Sequence, residues 1–467
     1  MRYFYSFCYI CLLLPSIQRA SSQDISFAES LNQVYTNSDV LRIAENERAK
    51  AKSIHQSLNS SWFPTIATTG SYTWMSDKIE VTQEYKSLLE PFDNYFNKNI
   101  ITQTIGSAIY NFLGNTTFSV PIMDQNWATI DATIVYPIFT GGRRIYANAI
   151  GKEIENIGIL GEQETRSTIF LIWVETYYGL QLSIENEKVR KENLQTLSNH
   201  YREVLAFKAN GMTNEMDCLI AQVAMEDAER QWKAAQKNTS ILKYRFCKML
   251  GLDSTCNCNT SSPLFIHSNI PSLEWFIAQS HNAPLLQAMK AKETIANKNV
   301  NIAIADYFPI IAIFGKQTLA SYNVPQNLMP PTIVGASFVW NIFDGLQRER
   351  KIKQNKIDVA ISNNQYNEAQ KQLTTAIHKA YYELENAKES ISTLGSTIAM
   401  TDELIRIRKA AYKEGMATTT EVIDAQTANT KAKLLLMAEY YRYDMMLATL
   451  VALCGMPQHF EEWSNQQ

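Results

Sequence analysis

Two carboxylates three residues apart, Glu421 and Asp424, follow a glycine turn in the stretch Tyr412-x-x-Gly415 … Glu421-Val-Ile-Asp424-Ala-Gln426. At the start of a helix, such acids complement the helix dipole. Gathered around a pore, they would instead focus cations and repel anions. No catalytic constellation accompanies them. The six histidines (His55, His200, His267, His281, His378 and His459) form no metal pair or triad with plausible spacing. No Gly-rich phosphate loop follows a strand. The chain reads as no enzyme, with no cofactor and no metal, so any energy source must come from a partner. Cys256-Asn257-Cys258 lacks the two-residue gap of a zinc knuckle, and a local disulfide or free thiols is the better reading.

Composition narrows the class further. The chain has 467 residues, with 43 Lys+Arg against 46 Asp+Glu and a formal charge of -3. That balance gives no basic face for nucleic acid. Gly (17) and Pro (13) are scarce, which points to long uninterrupted elements. Arg2, the apolar run Phe7 to Leu14, and Ala20 and Ser22 at the -3 and -1 positions read as a secretory signal cleaved before Gln23. Cleavage there leaves 41 bases against 46 acids, a charge of -5. Cys11 lacks the small residues that precede a lipid-modified cysteine, so no lipid anchor is expected. No segment reaches the ~20 apolar residues of a spanning helix. An exported chain of this kind is soluble or held in a membrane by strands.

The carboxylates sit in a unit that is written twice. Residues 136–144 read Tyr-Pro-Ile-Phe-Thr-Gly-Gly-Arg-Arg, and residues 340–348 read Trp-Asn-Ile-Phe-Asp-Gly-Leu-Gln-Arg, an offset of 204. The same offset carries Gly211-Met212 onto Gly415-Met416 and Gly251 onto Gly455. Earlier in each half the offset is 245, carrying Phe63-Pro64 onto Phe308-Pro309. The difference, 41 residues, is an insertion between residues 74 and 128.

Each half predicts the same elements. A helix (about 26–61; 272–306) leads to a strand (62–74; 307–319) and then a second strand (128–140; 332–344). A very long helix (143–208; 346–412) and a returning helix (216–250; 420–454) follow. In 128–138, Ala128, Ile130, Ala132, Ile134, Tyr136 and Ile138 alternate with Thr129, Asp131 and Thr133. In the second half, Val334, Ala336, Phe338, Trp340 and Ile342 oppose Gly335, Ser337 and Asn341, while 308–318 alternates poorly. Such strands fit a sheet between lipid and water, or a soluble sheet lying on a helical core. Trp62, Trp74, Tyr136 and Trp340 near strand ends fit an aromatic membrane girdle. Four strands cannot close a barrel, and open edges in lipid are costly. The chain must therefore oligomerise, and three copies give twelve strands with a wide lumen.

In the second long helix Ile377, Leu384, Ile391, Ile398, Ile405 and Tyr412 recur every seven residues, a coiled-coil seam. Such a helix spans about 100 Å. The returning helix and the helix at 284–306 together nearly equal it, so these two are expected to lie end to end.

These residues resemble the TolC family of outer membrane efflux proteins. One likeness is the strand-to-helix junction, Tyr136 to Gly142 and Trp340 to Gly345, with Pro137, Gly141, Gly142, Asp344 and Gly345 at the family's positions. The other is Tyr412-x-x-Gly415 with the Glu421–Gln426 run at the periplasmic tip. The resemblance implies an α+β membrane protein: four transmembrane strands per chain in a twelve-stranded trimeric β-barrel, continuous with a long α-helical coiled-coil barrel. It implies an exit duct of a tripartite efflux or type I secretion system, in the outer membrane and extending into the periplasm. The expected partners are outer membrane lipid, two further copies, a periplasmic adaptor and an inner-membrane RND or ABC pump. Glu421 and Asp424 match acidic positions ringing a closed entrance, and Tyr412 matches a residue that locks it. Where the family has an arginine partner this chain has Ala417. Three copies would place six carboxylates around one pore, where some should titrate with raised pKa values and favour cations.

In the first half Asp217 takes the place of Glu421 and Ile220 that of Asp424, so the second tip is the expected moving gate. Gly211 and Gly415 suit the tip turns. The expected organisation is a signal at 1–22, a first repeat at 23–255, a linker at 256–270, a second repeat at 271–455 and a tail at 456–467. The 75–127 insertion should face outside the cell, with its apolar 85–113 stretch a lid or an ordinary loop. A periplasmic adaptor and an elongated structural coiled coil are the rival readings.

Overall fold

The computed structural model describes residues 23–81, 120–252, 258–267, 269–324 and 330–464. The signal segment, Cys256 and the proposed lid at 85–113 lie outside them. The first half runs β1 (Gln23–Ile25), α1 (Phe27–Asn37), α2 (Asp39–Asn59), β2 (Thr65–Trp74), β3 (Ile79–Val81), β4 (Val120–Met123), β5 (Asn126–Phe139), α3 (Arg143–Ala209) and α4 (Glu215–Met249). The second runs β6 (Cys258–Thr260), α5 (Leu273–Ser280), α6 (Pro284–Ala305), β7 (Ile310–Tyr322), β8 (Thr332–Val339), α7 (Gln347–Lys413), α8 (Thr419–Leu453) and α9 (Gln458–Ser464). The long helices α3 and α7 are both 67 residues, and the returning helices α4 and α8 are both 35. Equal lengths at one offset carry the sequence duplication into the backbone.

Several elements differ from the sequence expectation. The leading helix of each half is broken. At Ser38 the backbone turns extended, and the Ser38 hydroxyl accepts from the Leu41 N–H at 3.2 Å, which starts a new helix. In the second half Pro284 restarts the helix, because proline suits a first turn and not an interior. The strand expected over 332–344 stops at Val339, which pairs with Ile310. The next residue along the partner strand is Pro309, which has no N–H to continue the ladder. The 256–270 linker holds β6, parallel to β1. The tail at 456–467 holds α9, whose Phe460 is fully buried.

The chain divides into two compact units. One comprises Ile54–Lys152 and Thr294–Val359. It holds an antiparallel sheet in the order β2-β5-β7-β8. Alternation decides its two faces. Ile66 and Val334 are both 74% exposed, and Tyr72, Ile130, Ile134, Ile313 and Phe338 on the same side are also exposed. The other face is a hydrogen-bonded polar row. Ser71 and Thr129 share a bond of 3.0 Å, Thr318 donates to Asp131 at 2.7 Å, and Lys316 pairs with Asp131 at 2.8 Å. An apolar face left open beside a satisfied polar face is the reverse of a sheet lying on a helical core.

The other unit comprises Met1–Ser53, Glu153–Glu293 and Ala360–Gln467. Its core gathers Phe170, Trp173, Tyr177 and Tyr178 of α3 with Phe27, Phe246, Phe265, Phe276 and Phe460. Leu373, Ile377, Ala380, Leu384, Ala387 and Ile391 of α7 form a buried heptad seam. Within this unit a β-carbon on Gly251 would press on Asn37, and one on Gly455 on Pro284. In each half, therefore, the end of the returning helix abuts the break in the leading helix of that same half, at Asn37 in the first and at Pro284 in the second. The second of these joints brings the returning helix to the helix at Pro284–Ala305.

One core residue opposes stability. Asp444 is 0% exposed, and neither carboxylate oxygen has a hydrogen bond of good geometry. Burial raises its pKa well above the ordinary range, offset in part by the Phe265 backbone. A raised folded value means that its contribution is intact at acid pH and is lost as pH rises through that value. Asp444→Leu should therefore raise the thermal midpoint, by about 1–3 kcal/mol of stability. The gain should be larger at pH 8 than at pH 5. Equal gains at both, read by circular dichroism, would refute the linkage.

Candidate functional site

Two constructions set these elements up for function, one where the strands meet the long helices and one at the helical tip. At the strand–helix junction the two halves use one device. Arg144, in the first turn of α3, is buried; its guanidinium lies 4.8 Å over the Trp62 ring and donates to the Ser61 and Pro137 carbonyls. Arg348, in the first turn of α7, lies 4.6 Å over the Tyr307 ring and donates to the Asp306 and Ile342 carbonyls. Asp344 accepts from the Gln347 N–H at 3.1 Å and pairs with Arg348 at 3.0 Å. Cation–π contact and carbonyl bonds hold each buried cation where strand and helix meet. Sequence reading passed over both arginines, although the 204 offset aligns them as the last residue of the duplicated junction.

The junction glycines answer a backbone requirement, and at Gly141 a spatial one as well. Gly141 has φ +62, and a β-carbon there would stand 2.7 Å from the Ala305 carbonyl oxygen. Gly345 has φ +69. Leu346, at the position of Gly142, takes φ +65 without being glycine, a strained backbone. Pro137 lies in β5 and supplies its carbonyl to Arg144. Of the aromatics expected in a girdle, Trp74, Trp62, Trp340 and Tyr136 are all exposed. Trp62 sits under Arg144, and the Trp340 indole donates to the Tyr307 carbonyl at 3.0 Å.

The tip gathers around Tyr412. Its ring is stacked on Phe207 of α3 at 5.5 Å and meets His200 edge-on at 5.0 Å. Val204, Cys218, Ala221 and Val422 close around it, so α3, α4, α7 and α8 all contribute. The Thr419 hydroxyl reaches the Tyr412 hydroxyl at 3.4 Å. Both hairpins turn at glycines, with φ +74 at Gly211 and +73 at Gly415. Each turn closes with a six-residue bond, Met212 N–H to the Phe207 carbonyl and Met416 N–H to the Ala411 carbonyl, both 2.9 Å.

The acidic residues occupy different environments. Glu421 forms a capping box with Thr418 at the start of α8 and pairs with Arg408 of α7 at 2.9 Å. The Thr418 backbone N–H and the Arg408 charge hold its pKa below the usual carboxylate range. The raised values expected for a crowded ring concern three copies together; within the protomer Glu421 is shifted the other way. Asp424 is exposed, with no ion pair or hydrogen bond among the described residues. Asp217 accepts from the Thr213 hydroxyl at 2.6 Å. The cation beside Glu421 is Arg408 of the preceding helix, and no spacing rule pointed to it. Farther along α8, buried Gln426 and Thr430 bond to Asn193 of α3 at 3.2 and 2.9 Å, and Asn429 donates to Asp402 at 2.7 Å.

Residues 279–456 match the outer membrane efflux protein family. No curated protein matches the chain by sequence. Among solved structures, the outer membrane protein VceC of Vibrio cholerae aligns with 92% of this chain and 96% of its own, at 14% identity and a TM-score of 0.72. The CmeC outer membrane channel of Campylobacter jejuni aligns with 94% of this chain and 89% of its own, at 15% identity and a TM-score of 0.68. The MtrE outer membrane channel of Neisseria gonorrhoeae, in an open state, aligns with 92% and 89%, at 14% identity and a TM-score of 0.70. At these identities the likeness is one of fold, and it extends over nearly the whole chain.

Proposed function

We propose that this chain, an outer membrane efflux protein by the sequence of its second half and an outer membrane channel by fold, is the exit duct of a tripartite efflux or type I secretion system. One observation carries the reading: a sheet with an exposed apolar face and a polar reverse, in a chain that also carries duplicated pairs of 67- and 35-residue helices. An adaptor or a structural coiled coil has no use for such a sheet. In this reading the apolar face meets outer membrane lipid, with Trp62, Trp74, Tyr136 and Trp340 at its borders. The free edges of β2 and β8 pair with neighbouring copies, because an open edge in hydrocarbon costs several kcal/mol per group. Three copies close a twelve-stranded barrel, and their helices form the periplasmic tunnel. The two halves, 23–255 and 271–455, are the structural repeats. The duct is passive, and a periplasmic adaptor and an inner-membrane RND or ABC pump supply recognition and energy.

The tip is the gate. Tyr412 belongs to the packed cluster, Asp217 is bonded by the Thr213 hydroxyl, and Glu421 is tied to Arg408. Asp424 is left as the uncompensated charge, three per trimer, so it sets cation selectivity. Asp424→Asn should move the reversal potential in a salt gradient most of the way to the non-selective value. Glu421→Gln should move it less, because Arg408 already offsets that charge. Unchanged reversal potentials in the double variant would refute the filter. The whole reading is tested by single-particle imaging of the detergent-solubilised protein. A three-fold particle with a detergent belt around the strands supports it, and a monomer or a rod without a belt overturns it.

A further inference from the structure

The tip cluster contains a titratable group that neither packing nor the charge filter explains. His200 of α3 is 3% exposed. Its Nε2 is buried without a hydrogen bond of good geometry among the described residues, and its Nδ1 lies 3.9 Å from the Glu203 carboxylate. A histidine kept only for shape would have both nitrogens bonded, since an orphaned buried nitrogen costs about 1–3 kcal/mol that an apolar side chain avoids. The ring nevertheless sits edge-on to Tyr412, the residue about which all four tip helices pack.

We propose that neutral His200 is the positioning residue of the tip latch, holding the Tyr412 ring against Phe207 and Thr419, and that protonation of His200 releases the latch. This inference rests on reading the tip as the gate. The groups around the ring come from every packed helix. Glu203 lies on α3 itself, Lys409 and Tyr412 on α7, and Thr419 on α8. Asp217 and Cys218 of α4 act on the far side of Tyr412. Burial, the largest influence, lowers the His200 pKa, and Lys409 adds to it, while Glu203 and the Thr419 backbone oppose them. A lowered value in the latched state means that the latch is fully held above the ordinary histidine value of 6.5 and weakens as pH falls below it. Glu421, held below the usual carboxylate range, stays ionised across that window and contributes no step there.

The test is the open probability of the whole protein in planar bilayers between pH 7.5 and 5.5. Wild type should open more often as pH falls, on the order of tenfold across the window. His200→Gln, neutral throughout, should flatten the profile. Glu203→Gln removes an influence that favours the imidazolium and should move the transition to lower pH with the histidine intact. Histidine hydrogen–deuterium exchange gives the His200 titration independently of conductance, and it should fall below 6.5. The same profile in wild type and His200→Gln overturns the inference while leaving the channel reading in place. Absence of channels at every pH overturns the channel reading, and this inference with it.

Discussion

Tyr412→Ala should raise the closed-state conductance of the channel at least tenfold at neutral pH. The Tyr412 ring is buried among His200, Phe207, Cys218, Ala221 and Val422, from three other helices. Truncating a buried aromatic costs about 3–5 kcal/mol, and each 1.4 kcal/mol is about a factor of ten in an equilibrium. Even if half the loss falls on the latch, the unlatched population of a protomer rises more than tenfold. Tyr412→Phe should do far less. The hydroxyl makes one long bond to Thr419, at 3.4 Å, and keeping the ring keeps the stacking. Single-channel recording separates the two. Wild-type conductance in a folded Tyr412→Ala protein would show that this cluster is not the barrier.

Trp173→Ala should lower the thermal midpoint by roughly 5 °C, from a loss of about 3–5 kcal/mol. Trp173 is fully buried, stacked on Phe246 at 5.1 Å, with its indole N–H donated to the Ser30 hydroxyl at 3.2 Å. The alanine leaves a cavity and takes away the Ser30 partner together. Trp173→Phe refills most of the volume and should cost less than half as much. Far-UV circular dichroism on heating decides it. A shift of only a degree or two for the alanine would mean that α1 and α4 do not depend on this ring.

Much of this architecture is legible in the sequence because its periods are long and regular. The seven-residue recurrence from Ile377 to Tyr412, the alternation over Ala128–Ile138 and the 204-residue offset each report one repeated physical constraint. What was not legible depends on single residues meeting far along the chain. Phe460 in α9 looks like any aromatic in a polar tail until Phe27, Phe170 and Tyr178 surround it. Arg408 has no motif, because its partner Glu421 lies across a turn on another helix. The breaks at Ser38 and Pro284 fall inside otherwise helical stretches and are set by capping and by the joints with Asn37, Gly251 and Gly455. Arg144 and Arg348 were within reach: a paired arginine at one offset is a signal that the aromatic and glycine matches overshadowed.

The Phe27–Phe460 contact, at 5.4 Å, joins residues separated by nearly the full length of the chain. The aromatic core of the helical unit thus has a very high contact order. It cannot close on a nascent chain whose last segment is still in the ribosome, and closure pays a large loop entropy before packing repays it. Closing that core requires the segments that carry Phe27 and Phe460 to be present together. The chain can commit to its native core only once both segments have been delivered.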